Sequence, residues 1–503
     1  NDKGIAIVKS TDLSRIHKDR LISKGFLRQV FKGWYISIRP DEKEGDTTSW
    51  YTSFWHFASI YFNDRFGKDW CLSPEQSLSL HSGNLSVPKQ LLVRSPKAQN
   101  NATHLLHGTS FLDINLSLPS KKEREERDGI QIYSLAGALL SCSPDFFTRY
   151  STDARTCLAI VKDSSEILSL LLEGGNSVIA GRLAGAFRNI GRDKIADEII
   201  STMKSAGYDV RENDPFQSQL TVTLSNRETS PYANRIKLMW HSMRQIVIDN
   251  FPKEEGLPKD KEQYLRLVEK IYISDAYHSL SIEGYRVTEE LIKQVRSSNW
   301  NPNENEADKE QRNAMAARGY YQAFQKVIES IKAVLDVKNT GEVAYNDHGT
   351  WYRELFAPSV TAGIIKSADL AGYRTGQVYI AGSMHTPLNS SSVRDAMPVL
   401  FDLLKEETDS CVRAILGHFL FVYIHPYMDG NGRIARFLMN VMLASGGYPW
   451  VVIPIEKRAE YMAVLEKASV EQDIAPFTKF IANLIKTDAK ERPTGVISTT
   501  AEG

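Results

Sequence analysis

Apolar residues recur at helical spacing through most of the second half of the chain. Between Gln263 and Val287 the apolar positions are Leu265, Leu267, Val268, Ile271, Ile273, Ala276 and Leu280, which predicts a helix ending near Glu283-Gly284. From Cys411 to Ile424 the apolar positions Val412, Ile415, Leu416, Phe419, Leu420 and Val422 predict a second helix. Ile434, Phe437, Leu438, Val441 and Met442 predict a third, directly after a Gly-rich break. Further helical positions follow at Tyr461, Leu465 and Ala468.

The first half is mixed. A short helix with Leu13, Ile16, Leu21 and Ile22, opened by a cap at Ser10-Thr11-Asp12, precedes strand-like Phe26–Val30 and Trp34–Ile38, which Lys32-Gly33 joins. Trp50, Phe54, Phe57 and Tyr61 are spaced for a helix buried on one side. Leu91–Val93 and Phe111–Ile114 are strand-like, and from Leu135 to Gly207 the pattern is helical, punctuated by glycines. The fold class expected is mainly α, with an α+β N-terminal region.

Composition narrows the class. The 503 residues suffice for roughly two to four domains. An apolar fraction of 42% and a charged fraction of 24% are ordinary for a globular protein. Formal net charge is zero, so a nucleic-acid or membrane role must rest on a local patch. No apolar run reaches 18 residues, so no membrane span is expected. Cys71, Cys142, Cys157 and Cys411 lie far apart and form no C-x-x-C, which suggests reduced buried residues. With no signal-peptide pattern at Asn1-Asp2-Lys3-Gly4, a cytoplasmic location is expected.

The densest chemistry lies in His425-Pro426-Tyr427-Met428-Asp429-Gly430-Asn431-Gly432-Arg433-Ile434-Ala435-Arg436. His425 can exchange a proton near neutral pH. Asp429 offers oxygen to a hard cation. Gly430-Asn431-Gly432 lets backbone N–H groups approach phosphate oxygens at a helix N-terminus. Arg433 and Arg436, three residues apart, lie near one helical face. Base, metal ligand, anion cradle and two cations are the parts of a nucleoside triphosphate site. The bland alternative is a Gly-rich turn before an ordinary helix, with His425 a satisfied loop histidine.

These twelve residues resemble the signature of the Fic family, H-x-F-x-[D/E]-G-N-G-R-x-x-R, with Tyr427 where Phe is usual. The resemblance spans roughly residues 230–485. It implies an all-α domain with a β-hairpin flap and a protein adenylyltransferase, which moves AMP from ATP to a Ser, Thr or Tyr hydroxyl of a target protein or of itself. It implies His425 as the base, Asp429 as the Mg²⁺ ligand, and Gly430, Asn431, Gly432, Arg433 and Arg436 on the phosphates. Tyr461 would border the nucleobase.

Ser279-Leu280-Ser281-Ile282-Glu283-Gly284 resembles the family's inhibitory motif, [S/T]-x-x-x-E-[G/N]. Glu283 would then pair with Arg436 and keep the γ-phosphate out, with Ser279 and Gly284 completing the motif. Gly372–Ile380 and the turn up to Pro387 resemble the flap, whose Gln377, Val378, Tyr379 and Ile380 would meet a target backbone. Other readings are a bifunctional enzyme that also removes AMP, and a DNA-binding regulator with a nucleotide-sensing site. Residues 1–40, with nine Lys/Arg against three Asp, resemble the winged-helix start of AbiEi-type antitoxins. Contact with DNA through Arg15, Lys18, Arg20 and the wing stands beside a role in protein contacts. A homodimer is also compatible with the family resemblance.

The expected organisation is a winged-helix-like segment at 1–45, an α+β to helical region at 46–210, and a Fic domain at 211–490. That domain would hold the inhibitory helix at about 265–284, the flap at about 372–388 and the signature loop at 425–436. A flexible tail is expected at 491–503.

Overall fold

The computed structural model describes residues 7–38, 40, 42, 46–217, 230–254, 256–296 and 308–491. The strand-like stretch 220–224 and the tail from 492 lie outside the described residues. The chain divides into two units, one of 1–239 with 377–388 and one of 240–376 with 389–503.

In the first unit β1 (Ile7–Lys9), α1 (Arg15–Ser23), β2 (Leu27–Phe31) and β3 (Trp34–Ser37) form an antiparallel sheet of order β1-β3-β2 with one helix. The cap of α1 is Ser14, whose hydroxyl accepts the His17 N–H, not the Ser10–Asp12 run. No residue of α1 is buried, and Ile16 is 79% exposed. The aromatic stripe falls on α2 (Thr48–Phe66), where Trp50, Phe54, Phe57 and Tyr61 are buried. With Trp34, Phe62, Trp70 and Phe111 they form one core, joined by edge-to-face and stacked rings. Each such pair adds about 0.5–1.5 kcal/mol beyond burial.

A second sheet follows, ordered β4-β5-β7-β6 from β4 (Cys71–Leu72), β5 (Gln90–Ser95), β6 (Ala102–His104) and β7 (Ser110–Asn115), with β5 and β7 parallel. The expected strands at 91–93 and 111–114 are the central pair. Helices between Leu135 and Ser205 build a separate apolar core that includes Cys142 and Cys157. All four cysteines are free and buried. The expected boundary near 211 falls inside this unit, because Arg235 pairs with buried Asp153 and Leu238 packs into the helical core.

The second unit is helical. It contains α3 (Lys261–Ile282), α4 (Asp308–Leu335), α5 (Thr340–Thr361), α6 (Ser410–Ile424) and α7 (Asn431–Ala444), with α6 packed on α7 and α4 on α5. No described helix is long and apolar enough to cross a membrane.

The expected β-hairpin flap is not formed: residues 371–389 contain no strand. The Gln377 side-chain amide donates to the carbonyls of Val378 and Pro387, a side-chain bridge where a ladder would need backbone N–H groups. Ser383 N–H closes a turn onto the Ile380 carbonyl, and the Met384 carbonyl accepts from Val87 N–H. Met384 packs on the aromatic core, so this segment is folded as part of the first unit.

Candidate active site

The signature loop sits between two buried helices. Helix α6 ends at Ile424, and His425 caps it in the left-handed region at φ 55°. That conformation costs a non-Gly residue roughly 1–2 kcal/mol, so something must hold it. Arg374 does: its Nε donates to the His425 carbonyl at 2.7 Å and its backbone N–H to the Pro426 carbonyl at 2.9 Å. Arg374 is buried, and burial lowers its pKa to about 10.

The His425 ring is oriented by its neighbours. Nδ1 lies 3.1 Å from the Val422 carbonyl, which can only accept, so Nδ1 carries the proton and Nε2 keeps its lone pair. Burial pushes the pKa down to about 4, with Arg374 adding to the effect. At neutral pH the ring is therefore a neutral base with Nε2 as its basic atom.

Tyr427 points inward, stacked on Tyr352 with ring centroids 3.7 Å apart. Asn431 holds the loop closed: its Oδ1 accepts Tyr427 N–H and its Nδ2 donates to the Tyr427 carbonyl, both at 2.8 Å. Its side chain thus braces the loop backbone and keeps a second Nδ2–H beyond these two bonds. Asp429 has 60% of its side chain exposed and accepts from Gly430 N–H and, at 3.3 Å, from Arg433 Nη2. Among the described residues no group of three or more His, Cys, Asp and Glu could hold a metal ion. A cation here would share Asp429 with phosphate and water oxygens, which suits Mg²⁺.

The cradle is the first turn of α7. Arg433 is 1% and Arg436 5% exposed. Arg433 lies between the rings of Tyr285 and Phe356, 5.3 and 5.1 Å from their centroids. Arg433 Nε and Arg436 Nη1 have no acceptor within hydrogen-bonding distance. Buried donors left in that state cost about 1–3 kcal/mol each, a cost that an anion larger than a carboxylate would remove.

One anion is already there. Glu283 Oε1 accepts from Arg436 Nη2 at 2.7 Å, while the Ser279 hydroxyl oxygen accepts from Arg436 Nε at 2.9 Å and the Ser279 carbonyl from Nη2 at 3.1 Å. A Cβ added to Gly432 would lie 2.4 Å from Glu283 Oε1. The glycine is therefore what admits an oxyanion against the helix N-terminus, where the helix dipole favours it. Burial by itself would raise the Glu283 carboxyl. Arg436, then Arg433, overcome that and hold it below its usual range. Burial would lower the Arg436 pKa, and Glu283 more than reverses this. Glu283 caps the C-terminus of α3, and Gly284 at φ 86° turns the chain so that Tyr285 N–H reaches the Leu280 carbonyl.

Tyr461 is an electrostatic neighbour of Arg436. It is 1% exposed, its hydroxyl meets His418 Nε2 at 2.8 Å, and its ring stacks on Phe480. Sequence reasoning missed Arg374, Phe356, Tyr285, Asp275 and Tyr320. The signal for Arg374 was its place in Tyr-Arg-x-Gly, and for Asp275 its place one turn before Ser279 on the same helical face.

Residues 346–443 match the family model described as the Fic/DOC family. The chain is 41% identical over 115 residues to the protein adenylyltransferase Fic of Drosophila willistoni, covering 22% of each chain. It is 38% identical over 113 residues to the protein adenylyltransferase fic-1 of Caenorhabditis elegans, also 22% of each. The longest of these alignments is to the Fic protein of Drosophila sechellia, 29% over 280 residues, covering 53% of this chain and 52% of the relative. The chain thus spans between about a fifth and a half of the length of the curated relatives it matches. A solved fragment of C. elegans Fic-1 aligns with 65% of this chain and 90% of its own, at 19% identity and a TM-score of 0.37.

Proposed function

We propose that this chain, whose residues 346–443 match the model of the Fic/DOC family, is a protein adenylyltransferase held at rest by Glu283. The observation that carries this reading is the Gly432 cradle, occupied by a carboxylate and flanked by two buried arginines with unspent N–H donors. ATP would bind with its phosphates over Gly430 and Gly432 and against Arg433 and Arg436. Asp429 would hold Mg²⁺, which supplies charge neutralisation to the phosphates when bound.

His425 Nε2 would take the proton from a Ser, Thr or Tyr hydroxyl as its oxygen attacks the α-phosphorus. The P–O bond to pyrophosphate breaks, and the target leaves carrying AMP. Asn431 and Arg374 position the loop. The test is mass spectrometry of the protein and a mixed-protein substrate after incubation with ATP and Mg²⁺. An AMP adduct is expected, and its absence with both wild-type and Glu283→Gly chains would remove the reading.

The pH profile follows from the His425 environment. Its folded pKa is depressed, the deprotonated ring is the active form, and competence is lost only as pH falls through about 4. We expect transfer to stay level from pH 8 down toward 5, with no step near 6.5. An inflection near 6.5 in kcat/KM would show that the base is not this half-buried ring.

A second reading concerns the N-terminal segment. Arg15, Lys18 and Arg20 lie on a helix none of whose residues is buried, which favours a contact with duplex DNA. A gel shift with the full chain at about 50 mM salt, weakening steeply toward 200 mM, is the expected result. No shift at the lower salt removes this reading.

A further inference from the structure

The helix that carries the inhibitory glutamate makes contacts that inhibition does not need. On α3, Asp275, Ser279 and Glu283 fall at i, i+4 and i+8, so they share a face. Their surroundings differ. Glu283 ends the helix with 26% of its side chain exposed, so it can turn into water. Ser279 and Asp275 are 3% and 4% exposed and cannot leave without moving the helix.

Hydrogen-bond polarity decides what the buried pair does. Burial pushes the Asp275 carboxyl up to about 6, against the pull of Tyr320, Trp450 and Arg436, so at neutral pH it is mostly a charged acceptor. It takes Tyr320 O–H on Oδ2 at 2.6 Å and Trp450 Nε1–H on Oδ1 at 3.0 Å. The Ser279 hydroxyl oxygen accepts from Arg436 Nε at 2.9 Å and the Ser279 carbonyl from Nη2 at 3.1 Å, so this one buried residue holds two of the guanidinium's nitrogens.

A second tie runs through the backbone. Trp450 precedes Val451, whose N–H and carbonyl both meet the Asn440 side chain, and Asn440 also donates to the Arg436 carbonyl. None of these bonds involves Glu283.

We propose that Ser279 is a positioning residue that keeps Arg436 aimed at Gly432 once Glu283 has turned away to admit the triphosphate. The inhibitory helix then has two opposed roles on one arginine. The inference rests on the nucleotide reading of the cradle given above. It reverses the sign expected for Ser279, since a purely inhibitory serine would release activity when removed.

The test uses the full chain with Glu283→Gly as parent. Ser279→Ala is expected to raise the Kd for ATP with Mg²⁺, read by calorimetry, roughly tenfold, with kcat at saturating ATP changed much less. Ser279→Thr, which keeps the hydroxyl, should restore the parent value. A Kd within twofold of the parent for Ser279→Ala overturns the inference. So does a rise in labelling when Ser279→Ala is made with Glu283 intact. If Ser279→Ala weakens ATP binding while no variant ever labels protein, the inference stands and AMP transfer is the reading that falls.

Discussion

Replacing Glu283 by Gly is expected to raise AMP transfer by about one to two orders of magnitude, because on the proposed reading the carboxylate and the γ-phosphate would compete for the same donors. A charge-assisted hydrogen bond is worth about 1.5–3 kcal/mol, and each 1.4 kcal/mol is about tenfold in occupancy. Arg436 Nη2 loses its 2.7 Å bond to Glu283 but keeps the Ser279 carbonyl, so the cation stays in place. The gain should carry a stability loss. A buried guanidinium deprived of its counter-charge costs about 3–5 kcal/mol when fully enclosed, and less here because the Glu283 side chain is 26% exposed. The variant should therefore melt earlier than wild type, and ATP should recover much of the difference by binding the folded state. Labelled ATP and a melting curve with and without nucleotide measure both effects. Unchanged labelling together with a raised Tm would show that Glu283 is structural and does not gate the cradle.

The second large effect is at His425. With Ala in its place, transfer should fall by about 10²–10⁴, the usual contribution of a positioned general base. The comparison is cleanest on the Glu283→Gly background, where the starting rate is high. Nucleotide binding should survive, because the phosphate contacts proposed above would belong to the α7 N-terminus, Arg433 and Arg436. Thermal protection by ATP that persists in the inactive variant separates lost chemistry from a lost site. The Nδ1 bond to the Val422 carbonyl predicts a further detail: His425→Gln can keep one polar contact but supplies no base, so it should be as inactive as His425→Ala.

Local spacing carried much of this site. His425 through Arg436 are contiguous, so their order already implied a loop, a helix start and two cations on one face. Ser279 and Glu283 at i, i+4 implied a shared face on α3, and both reach Arg436. The Trp50, Phe54, Phe57 and Tyr61 spacing likewise implied one buried stripe on α2. In each case the relevant distance is set by helix geometry over a few residues, which sequence periodicity encodes directly.

Other features depend on which neighbour arrives first at a polar group. Asn431 could bond phosphate or backbone, and only the folded loop brings Tyr427 N–H and carbonyl to its two ends. The segment 377–388 has strand-like residues, yet Gln377 and Val87 take carbonyls that a hairpin would have used. Tyr461 has the composition of a base-stacking residue but is enclosed by His418 and Phe480.

By itself, then, the sequence determined the reactive groups and their local order: a base, an acid, a glycine cradle and two arginines. Tertiary structure decided their states. Burial and the Val422 carbonyl chose the protonation and tautomer of His425, Arg374 held its left-handed backbone, and packing of α3 and α7 on α4 delivered Glu283 to Gly432. Those outcomes rest on contacts between residues up to about 150 positions apart. Through-space electrostatics and desolvation act there, and no local pattern in the chain records them.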